Sequence, residues 1–320
     1  MGKRKGREAG RTASVEISSS ANVQRKLRIK KNIPLYCMLI IPLLYFIIFC
    51  YGPMFGTVMA FQNYRLFDGI FHSEWVGLRN FKMIFSTPNM RKIIFNTVRI
   101  GMMTVFVSFP FPIILAVMLN EVKAKRFKKA TQTILYLPHF FAWVIVGGII
   151  ITCFSYKGPV NHIIQLLGGE PIGFLTNSTS WLTIYLGAGI WKEMGFDAIV
   201  YMAALTGIDP TYYEAARVDG ATKWQQITKI TIPSLMPTIV LMLILATGKV
   251  MGVGFDRIYA LMNAAVMDVA NVVSVFNYDF GVRGGNFSIA TAMGLFDSLV
   301  SLTLVLFTNH LAKKTDNALF

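Results

Sequence analysis

Six long apolar runs constrain this chain more than any other feature of its sequence. With soft edges, they cover residues 34–60, 94–120, 131–155, 180–206, 235–262 and 287–311. Each is long enough for a helix to cross the hydrocarbon core of a bilayer, which takes about 20 mainly apolar residues. Only 15% of the 320 residues are charged, against about 25% in soluble domains. We therefore predict an all-α integral membrane protein with six transmembrane helices.

The N-terminal segment 1–31 differs in composition from the rest of the chain. It holds ten basic and two acidic residues, is rich in Ser and Gly, and has few apolar residues from which to build a core. A secretory signal peptide is the alternative, but the apolar run 34–60 exceeds a signal's apolar region, and no A-x-A cleavage site follows it. We interpret 1–31 as a basic cytoplasmic tail and 32–320 as the transmembrane domain.

The distribution of Lys and Arg predicts the orientation of the chain in the membrane. If both termini are cytoplasmic, the cytoplasmic segments carry 20 of these residues and the outer loops carry 8, with Arg257 counted in an outer loop. Cytoplasmic loops of membrane proteins are enriched in Lys and Arg. We therefore expect cytoplasmic N- and C-termini. Since the chain is apolar and poor in charge, and its positive charge is not spread over a face, we expect no nucleic-acid partner.

The connection between the fourth and fifth runs contains signals for a short helix. Asp209 followed by Pro210 is typical of a helix start, because the carboxylate caps free backbone N–H groups and proline needs no donor at the first position. Gly220 lies two residues after Val218, at the point where that helix should end. Glycine adopts the left-handed conformation of a helix C-terminus without steric cost.

A second helix is expected directly afterwards. Thr222 and Gln225 have the spacing of a capping box, which satisfies free donors at a helix N-terminus. Pro233 and Pro237 are expected to mark the end of this helix and the entry to the fifth span. The whole segment is predicted to be a helix–turn–helix at the cytoplasmic surface, suited to binding a cytoplasmic partner.

The same segment contains a spaced set of residues: Glu214, Ala215, Ala216, Gly220, Ile230, Ile232 and Pro233. In this spacing the segment resembles the EAA loop of binding-protein-dependent ABC importer permeases, with Ile232 in place of the usual leucine. Further stretches are similar to the sugar-importer branch: VGLRNF (76–81), YLPHFFAWVIVGG (136–148), WKEMG (191–195) and YMAALTGID (201–209). The stretches 254–263 and 270–298 are similar to the subgroup that handles pectin, alginate or aldouronate fragments. MNAAV (262–266) departs from the family's frequent Gly-Gly-Pro turn.

The resemblance implies a type I ABC importer permease fold, with a cytoplasmic coupling helix, in a bacterial cytoplasmic membrane. It implies a second homologous permease, two ATPase subunits that bind ATP and Mg, and an extracytoplasmic lipoprotein that delivers an oligosaccharide, including uronic-acid-containing fragments. The implied ATPase-coupling residues are Glu214, Ala215, Ala216, Arg217, Asp219, Gly220, Ile230 and Pro233. No cofactor is expected on this chain, which is predicted to be a transport subunit and not an enzyme, because Gly248-Lys249 lacks the other residues of a Walker A loop.

Charged and aromatic residues inside the predicted spans are candidates for the substrate path. They are Lys249, Lys192, Glu193, Trp191 and Phe255. Intramembrane ionisable groups usually face a cavity or a partner. The alternatives are local packing of Lys192 with Glu193, snorkelling at span ends, and aromatic residues that serve packing or the lipid interface.

Two other classes of function are alternatives to import by an ABC permease. A stand-alone secondary carrier would use the segment 209–233 only as a gate. An intramembrane enzyme would need a nucleophile paired with a base, and the sequence has no G-x-S-x-G motif. The four histidines are widely separated and lack metal-ligand spacing, so no metal site is expected.

Overall fold

The structure, a computed structural model, describes residues 31–313. The prediction for the tail therefore lies outside the described residues, except for Lys31. The chain divides into two compact units, of which the first ends at Val58 and the second begins at Met59.

The first unit consists of most of helix α1, Lys31–Phe61. Apolar side chains such as Ile41 and Phe49 are exposed along its length. A helix that is apolar all round and exposed fits a hydrocarbon environment, where the backbone must satisfy its own hydrogen bonds. A π-helical turn, Phe46–Tyr51, precedes Pro53, and the helix ends as a 3-10 turn, Phe55–Phe61.

The second unit begins with a small hairpin followed by helices. Strand β1 (Gln62–Asn63) pairs antiparallel with β2 (Glu74–Trp75), and the short helix α2 (Gly69–His72) lies between them. The helices that follow are α3 (Arg79–Ser86), α4 (Pro88–Glu121), α5 (Lys125–Tyr136), α6 (Trp143–Phe154), α7 (Pro159–Leu166), α8 (Ser178–Thr206), α9 (Pro210–Val218), α10 (Lys223–Thr247), α11 (Phe255–Leu261), α12 (Met267–Ala270), α13 (Val273–Phe276) and α14 (Phe287–Lys313). A π-helical turn (Asn277–Arg283) continues α13.

Five segments of the described chain are long and apolar enough to cross a membrane. They are α1, α4, α6 with α7 (Trp143–Leu166), α10 and α14. The remaining predicted span, 180–206, lies within the 29-residue helix α8, which is about 43 Å long and so could also cross a bilayer. Because of its charged residues, α8 is not among the five apolar segments. Helix α8 is nevertheless lined with buried residues, because it packs among α4, α5, α10 and α11.

Two predicted spans have the wrong boundaries. The run 131–155 is broken between α5 and α6 by the 3-10 turn Leu137–Phe140, because Pro138 lacks a backbone donor and its ring obstructs the preceding turn. The run 235–262 ends as a span at Thr247, and a non-helical stretch with three glycines, at 248, 252 and 254, separates α10 from α11. Glycine favours such a break because it is a poor helix former.

The two prolines expected to end the second cytoplasmic helix do not end it. Helix α10 runs without interruption from Lys223 to Thr247 and includes both prolines. A π-helical turn, Ile227–Thr231, immediately precedes the α-helical turn that contains Pro233, and Pro237 lies inside the helix. A wider turn changes the hydrogen-bond pattern around the missing proline donor, so the helix continues.

The second unit holds its helices together through three buried clusters. One joins α6, α8 and α11, where the Trp181 indole Nε1 donates to the Leu261 carbonyl at 2.9 Å. A second joins α3 and α4 to α13 and α14, with Ile84 and Met293 fully buried. The third joins α4, α8 and α10 around Ala198 and Leu235. Helix α8 contributes to two of the three and is therefore central to the unit.

A close approach of backbones fixes α4 against the loop that follows α10. A Cβ at Gly101 would overlap with the carbonyl group of Val250, whereas a Cβ at Gly148 would meet nothing within 4 Å. We predict that Gly101→Ala lowers the free energy of unfolding by about 1–3 kcal/mol through overpacking. Gly148→Ala is the matched control and should be neutral or stabilising, since alanine favours a helix over glycine. Thermal denaturation of the purified variants in detergent measures both; equal midpoints would contradict the packing assignment.

Candidate functional site

The helix–turn–helix between α8 and α10 forms as the sequence predicts. The Asp209 side chain accepts a hydrogen bond from the Thr211 N–H at 2.9 Å, and this bond lowers the pKa of Asp209 below its ordinary value. Helix α9 ends at Val218, and Gly220 has a φ of 75°, in the left-handed region where a β-carbon is disfavoured. The Ala221 N–H then donates to the Ala216 carbonyl at 2.8 Å and closes the turn.

The capping box at the start of α10 is present in both directions. The Thr222 N–H donates to the Gln225 side chain at 2.7 Å, and the Gln225 N–H donates to the Thr222 hydroxyl at 3.3 Å. These bonds satisfy donors that the first turn leaves free. Local hydrogen bonds therefore fix the angle between α9 and α10.

Two side-chain contacts connect this segment to the long helices. The Tyr213 hydroxyl lies 3.0 Å from the Thr231 hydroxyl, which joins α9 to α10. The Lys223 ammonium lies 2.8 Å from a Glu121 carboxylate oxygen, which joins the start of α10 to the end of α4. A displacement of α9 would therefore be transmitted to both helices.

Most of the predicted coupling residues face solvent. Glu214, Ala215, Arg217, Asp219, Gly220 and Pro233 are exposed, while Ala216 and Ile230 are half-buried. The same surface carries three exposed apolar side chains that sequence reasoning did not select: Tyr212, Val218 and Trp224, the last two 88% and 72% exposed. Exposed apolar groups beside charged ones are typical of a protein-binding surface. Their signal in the sequence was an apolar or aromatic residue beside the capping positions.

A cavity of about 410 Å³ lies inside the second unit. Its wall is formed by the π-helical turn of α4 (Thr104–Ser108), the middle of α8, the end of α10 and the glycine-rich stretch 248–254. Aromatic and charged side chains line it together: Trp143, Tyr185, Tyr201, Glu193, Asp197, Lys249 and Arg257. Pockets of this size and mixed lining are typical of sites for small molecules. A sugar ring could stack on the aromatic faces while the charged groups contact its substituents.

An ion-pair network lies at one side of the cavity. The buried Lys192 ammonium donates to Glu193 Oε1 at 2.9 Å and to the His139 carbonyl at 2.8 Å. The His139 ring Nδ1 lies 2.6 Å from Glu193 Oε2, and the ring stacks on Phe196 with centroids 3.8 Å apart. Both oxygens of Glu193 are therefore engaged, and Lys192 has the partners that a buried cation requires.

Arg257 occupies a position that the sequence did not indicate. The charge distribution assigns it to an outer loop, but α11 folds back against α6 and α8, so its guanidinium is buried at the cavity wall. The group lies over the Tyr185 ring at 3.7 Å and the Trp143 ring at 5.4 Å, and it donates to the Tyr185 carbonyl. The cause is the break after α10, which the apolar run 235–262 concealed.

The structure brings only some of the predicted substrate-path residues together. Glu193 and Lys249 line the cavity, and Lys192 lies behind its wall in the ion-pair network. Trp191 instead lines a separate apolar groove with Phe154 and Phe174. Phe255 packs away from the lining, on Tyr259 and Tyr278, with ring centroids 4.8 Å and 4.9 Å apart. A substrate role for Trp191 and Phe255 stays a prediction without geometric support from the cavity.

Comparison with known protein families identifies the family of this chain. Residues 108–317 match the family model described as binding-protein-dependent transport system inner membrane component. The chain belongs to this family. Its matched range includes the helix–turn–helix and most of the cavity wall, so both features lie within the shared permease domain.

Named relatives match nearly the whole length of this chain. The chain is 42% identical over 281 residues to the polygalacturonan/rhamnogalacturonan transport system permease protein YteP of Bacillus subtilis, and the match covers 88% of each chain. It is 38% identical over 301 residues to the protein LplB of the same organism, covering 94% of this chain and 95% of LplB. A chain in the crystal structure of a bacterial alginate ABC transporter, in complex with an alginate pentasaccharide-bound periplasmic protein, matches with a TM-score of 0.83 and 40% identity. That match covers 91% of this chain and 97% of the other.

The ion-pair network predicts a measurable energetic coupling. We expect Glu193→Leu alone to destabilise the permease, because it leaves the Lys192 ammonium buried without its carboxylate. The double variant with Lys192→Met should lose less than the sum of the single changes, with a coupling of about 0.5–3 kcal/mol. The exposed pair Lys92–Asp268, at 2.8 Å, is the control, and its coupling should stay below about 1 kcal/mol. Detergent denaturation of the four variants in each cycle measures both; additive effects at 192 and 193 would contradict the network.

Proposed function

We propose that this chain is a permease subunit of an ATP-driven importer that carries oligosaccharides across the bacterial cytoplasmic membrane. The observation that carries the proposal is the ordered, exposed helix–turn–helix at Asp209–Gln225, which is tied to α4 and α10 in a chain of the permease family. Names of relatives that transport polygalacturonan, rhamnogalacturonan or alginate support fragments of acidic polysaccharides as the substrate class.

The proposed transporter contains a second homologous permease, two ATPase subunits that bind ATP and Mg, and an extracytoplasmic lipoprotein. This permease is proposed to contribute six spans, one of which is α8. Both termini are proposed to be cytoplasmic, which puts the segment 209–233 on the ATPase side. Cytoplasmic enrichment of Lys and Arg supports this orientation.

Coupling is proposed to pass through α9 into α10 and α4. Closure of the ATPase dimer would move α9, and the Tyr213–Thr231 and Lys223–Glu121 contacts would transmit that movement to the long helices. The exposed Glu214 carboxylate is proposed to pair with a cation of the ATPase, and Gly220 sets the angle between the two helices. Interface charges of this kind affect association more than fold.

We predict that Gly220→Val and Glu214→Lys abolish uptake and weaken retention of the ATPase while the protein stays in the membrane. A β-branched residue at the positive φ of Gly220 costs about 1–2 kcal/mol, enough to change a docking angle but too little to unfold the permease. Gly168→Val is the matched control, since Gly168 has a φ of 83° in a different loop and its Cβ would meet nothing within 4 Å. Uptake and co-purification of the ATPase are measured together.

A stand-alone secondary carrier is the competing function, and the same variants distinguish it. A carrier would keep transporting without an ATPase, and its purification would yield no second permease. If the Gly220→Val variant takes up the sugar at the wild-type rate with the ATPase still bound, the proposed coupling role is wrong.

The orientation predicts which introduced cysteines react from outside the cell. After the native Cys37, Cys50 and Cys153 are replaced by serine, Phe67→Cys in the exposed hairpin loop should react with a membrane-impermeant thiol reagent. Lys125→Cys, at the exposed start of α5, should react only after the cells are permeabilised. Labelling at 125 in sealed cells would reverse the proposed orientation.

Lys249 is proposed to contribute to the substrate path, because it lines the cavity where α10 ends. We predict that Lys249→Met lowers the rate of oligosaccharide uptake without lowering the amount of assembled transporter. Lys82→Met, at an exposed position of α3, should leave uptake unchanged. Uptake of radiolabelled oligosaccharide, normalised to permease abundance, measures the difference; unchanged uptake by Lys249→Met would assign the residue a structural role.

A further inference from the structure

Arg257 is a buried cation that no carboxylate contacts in the described part of the chain. Its residue surface is 8% exposed, and it forms no ion pair with an acidic side chain among residues 31–313. Its guanidinium donates to the Tyr185 carbonyl, while the Nε atom is buried without a hydrogen-bond partner. Buried charges are normally paired, since removing an ion from water is costly. The site is therefore incomplete in charge and in hydrogen bonds.

The two acidic residues of the cavity wall, Glu193 and Asp197, form no ion pair with Arg257, although Glu193 interacts with it electrostatically at longer range. Both Glu193 oxygens are engaged, one by Lys192 and the other by His139. Asp197 lines the same cavity from the next turn of α8 and forms no ion pair with Arg257. Because Arg257 lines the cavity, a molecule bound there can supply the anion that completes the site.

The guanidinium is held in a fixed orientation at the cavity wall. Its plane lies against Tyr185 and Trp143, and Gly189 of α8 leaves room for it, because a Cβ there would overlap with the guanidinium atoms. Arginine presents a planar set of donors that matches both oxygens of a carboxylate. A prefixed group of this kind loses little conformational entropy when it binds.

We propose that Arg257 binds a carboxylate of the transported molecule, and that the cavity thereby selects uronate-containing oligosaccharides over neutral ones. This inference rests on the proposed function, since it names a residue that reads the substrate within the import path. A uronate would supply the charge and the acceptors that Arg257 lacks. A neutral sugar would leave the guanidinium unpaired, and sites with buried polar groups reject ligands that fail to satisfy them.

The test uses the whole transporter, with both permeases, the ATPases and the binding protein, in proteoliposomes. The probes are trigalacturonate and its carboxyl-reduced counterpart, a neutral trisaccharide with the same linkages. Arg257→Gln should lower uptake of trigalacturonate at least about tenfold, the effect expected from the loss of a charged hydrogen bond, and change uptake of the reduced trisaccharide less than about twofold. Arg257→Lys should retain part of the preference, because the charge remains but the planar set of donors is lost.

A second variant leaves the arginine in place. Gly189→Ala should displace the guanidinium and lower the preference for trigalacturonate in the same direction as Arg257→Gln. Arg283→Gln, at an exposed arginine that pairs with Asp279 at 3.1 Å, is the matched control and should change neither substrate. Permease abundance in the vesicles is measured for every variant.

Three outcomes would contradict the proposals, and they are distinguishable. An equal loss of both substrates in Arg257→Gln and Gly189→Ala would overturn the carboxylate role and leave oligosaccharide import intact. If the wild-type transporter takes up the neutral trisaccharide in preference to trigalacturonate, the selection of uronates is overturned. If it shows no ATP-dependent uptake of either probe or of trimannuronate, a second acidic probe, the proposed substrate class itself is overturned.

Discussion

The hydrocarbon core of a membrane offers no hydrogen bonds, and this constraint determines where the polar groups of the chain lie. The five apolar segments present exposed apolar side chains, as Ile41 and Phe49 do on α1. Helix α8 differs from them, because it carries Lys192, Glu193 and Asp197 near its middle. It packs among α4, α5, α10 and α11, and its Lys192 ammonium is satisfied by Glu193 and the His139 carbonyl. The arrangement of the second unit follows from enclosing this one helix.

Enclosing α8 also creates the cavity. Three interruptions of regular helix meet along its length: the π-helical turn Thr104–Ser108 of α4, the break at 137–142 and the glycine-rich stretch 248–254. Each interruption bends or ends a helix, so the helices cannot pack along their full length. The remaining space is lined by groups such as Tyr185 and Arg257 that would be costly to expose to lipid. The breaks that shorten two predicted spans, together with the π-helical turn of α4, therefore surround a polar site inside the membrane domain.

The helix–turn–helix and the cavity are connected through α10. This helix begins at the capping box of Thr222, contacts α4 through Lys223, and ends at Thr247, two residues before Lys249 in the cavity wall. Its π-helical turn Ile227–Thr231 lies between those points, and π-helical turns are common at functional sites. A movement of α9 would therefore reach the cavity through a single continuous helix, which is the physical basis of the proposed coupling.

The sequence by itself determined the membrane class, most helix positions and the helix–turn–helix between α8 and α10, because apolar runs, caps and the left-handed Gly220 depend on neighbouring residues alone. It also selected Lys249 and Glu193, since charges stand out within apolar runs. Only the tertiary structure decided that Arg257 lies at the cavity and that Trp191 faces a different groove. Those positions depend on the breaks after Tyr136 and Thr247 and on how α11 returns against α6 and α8, and long-range packing of this kind leaves no periodic signal in the chain.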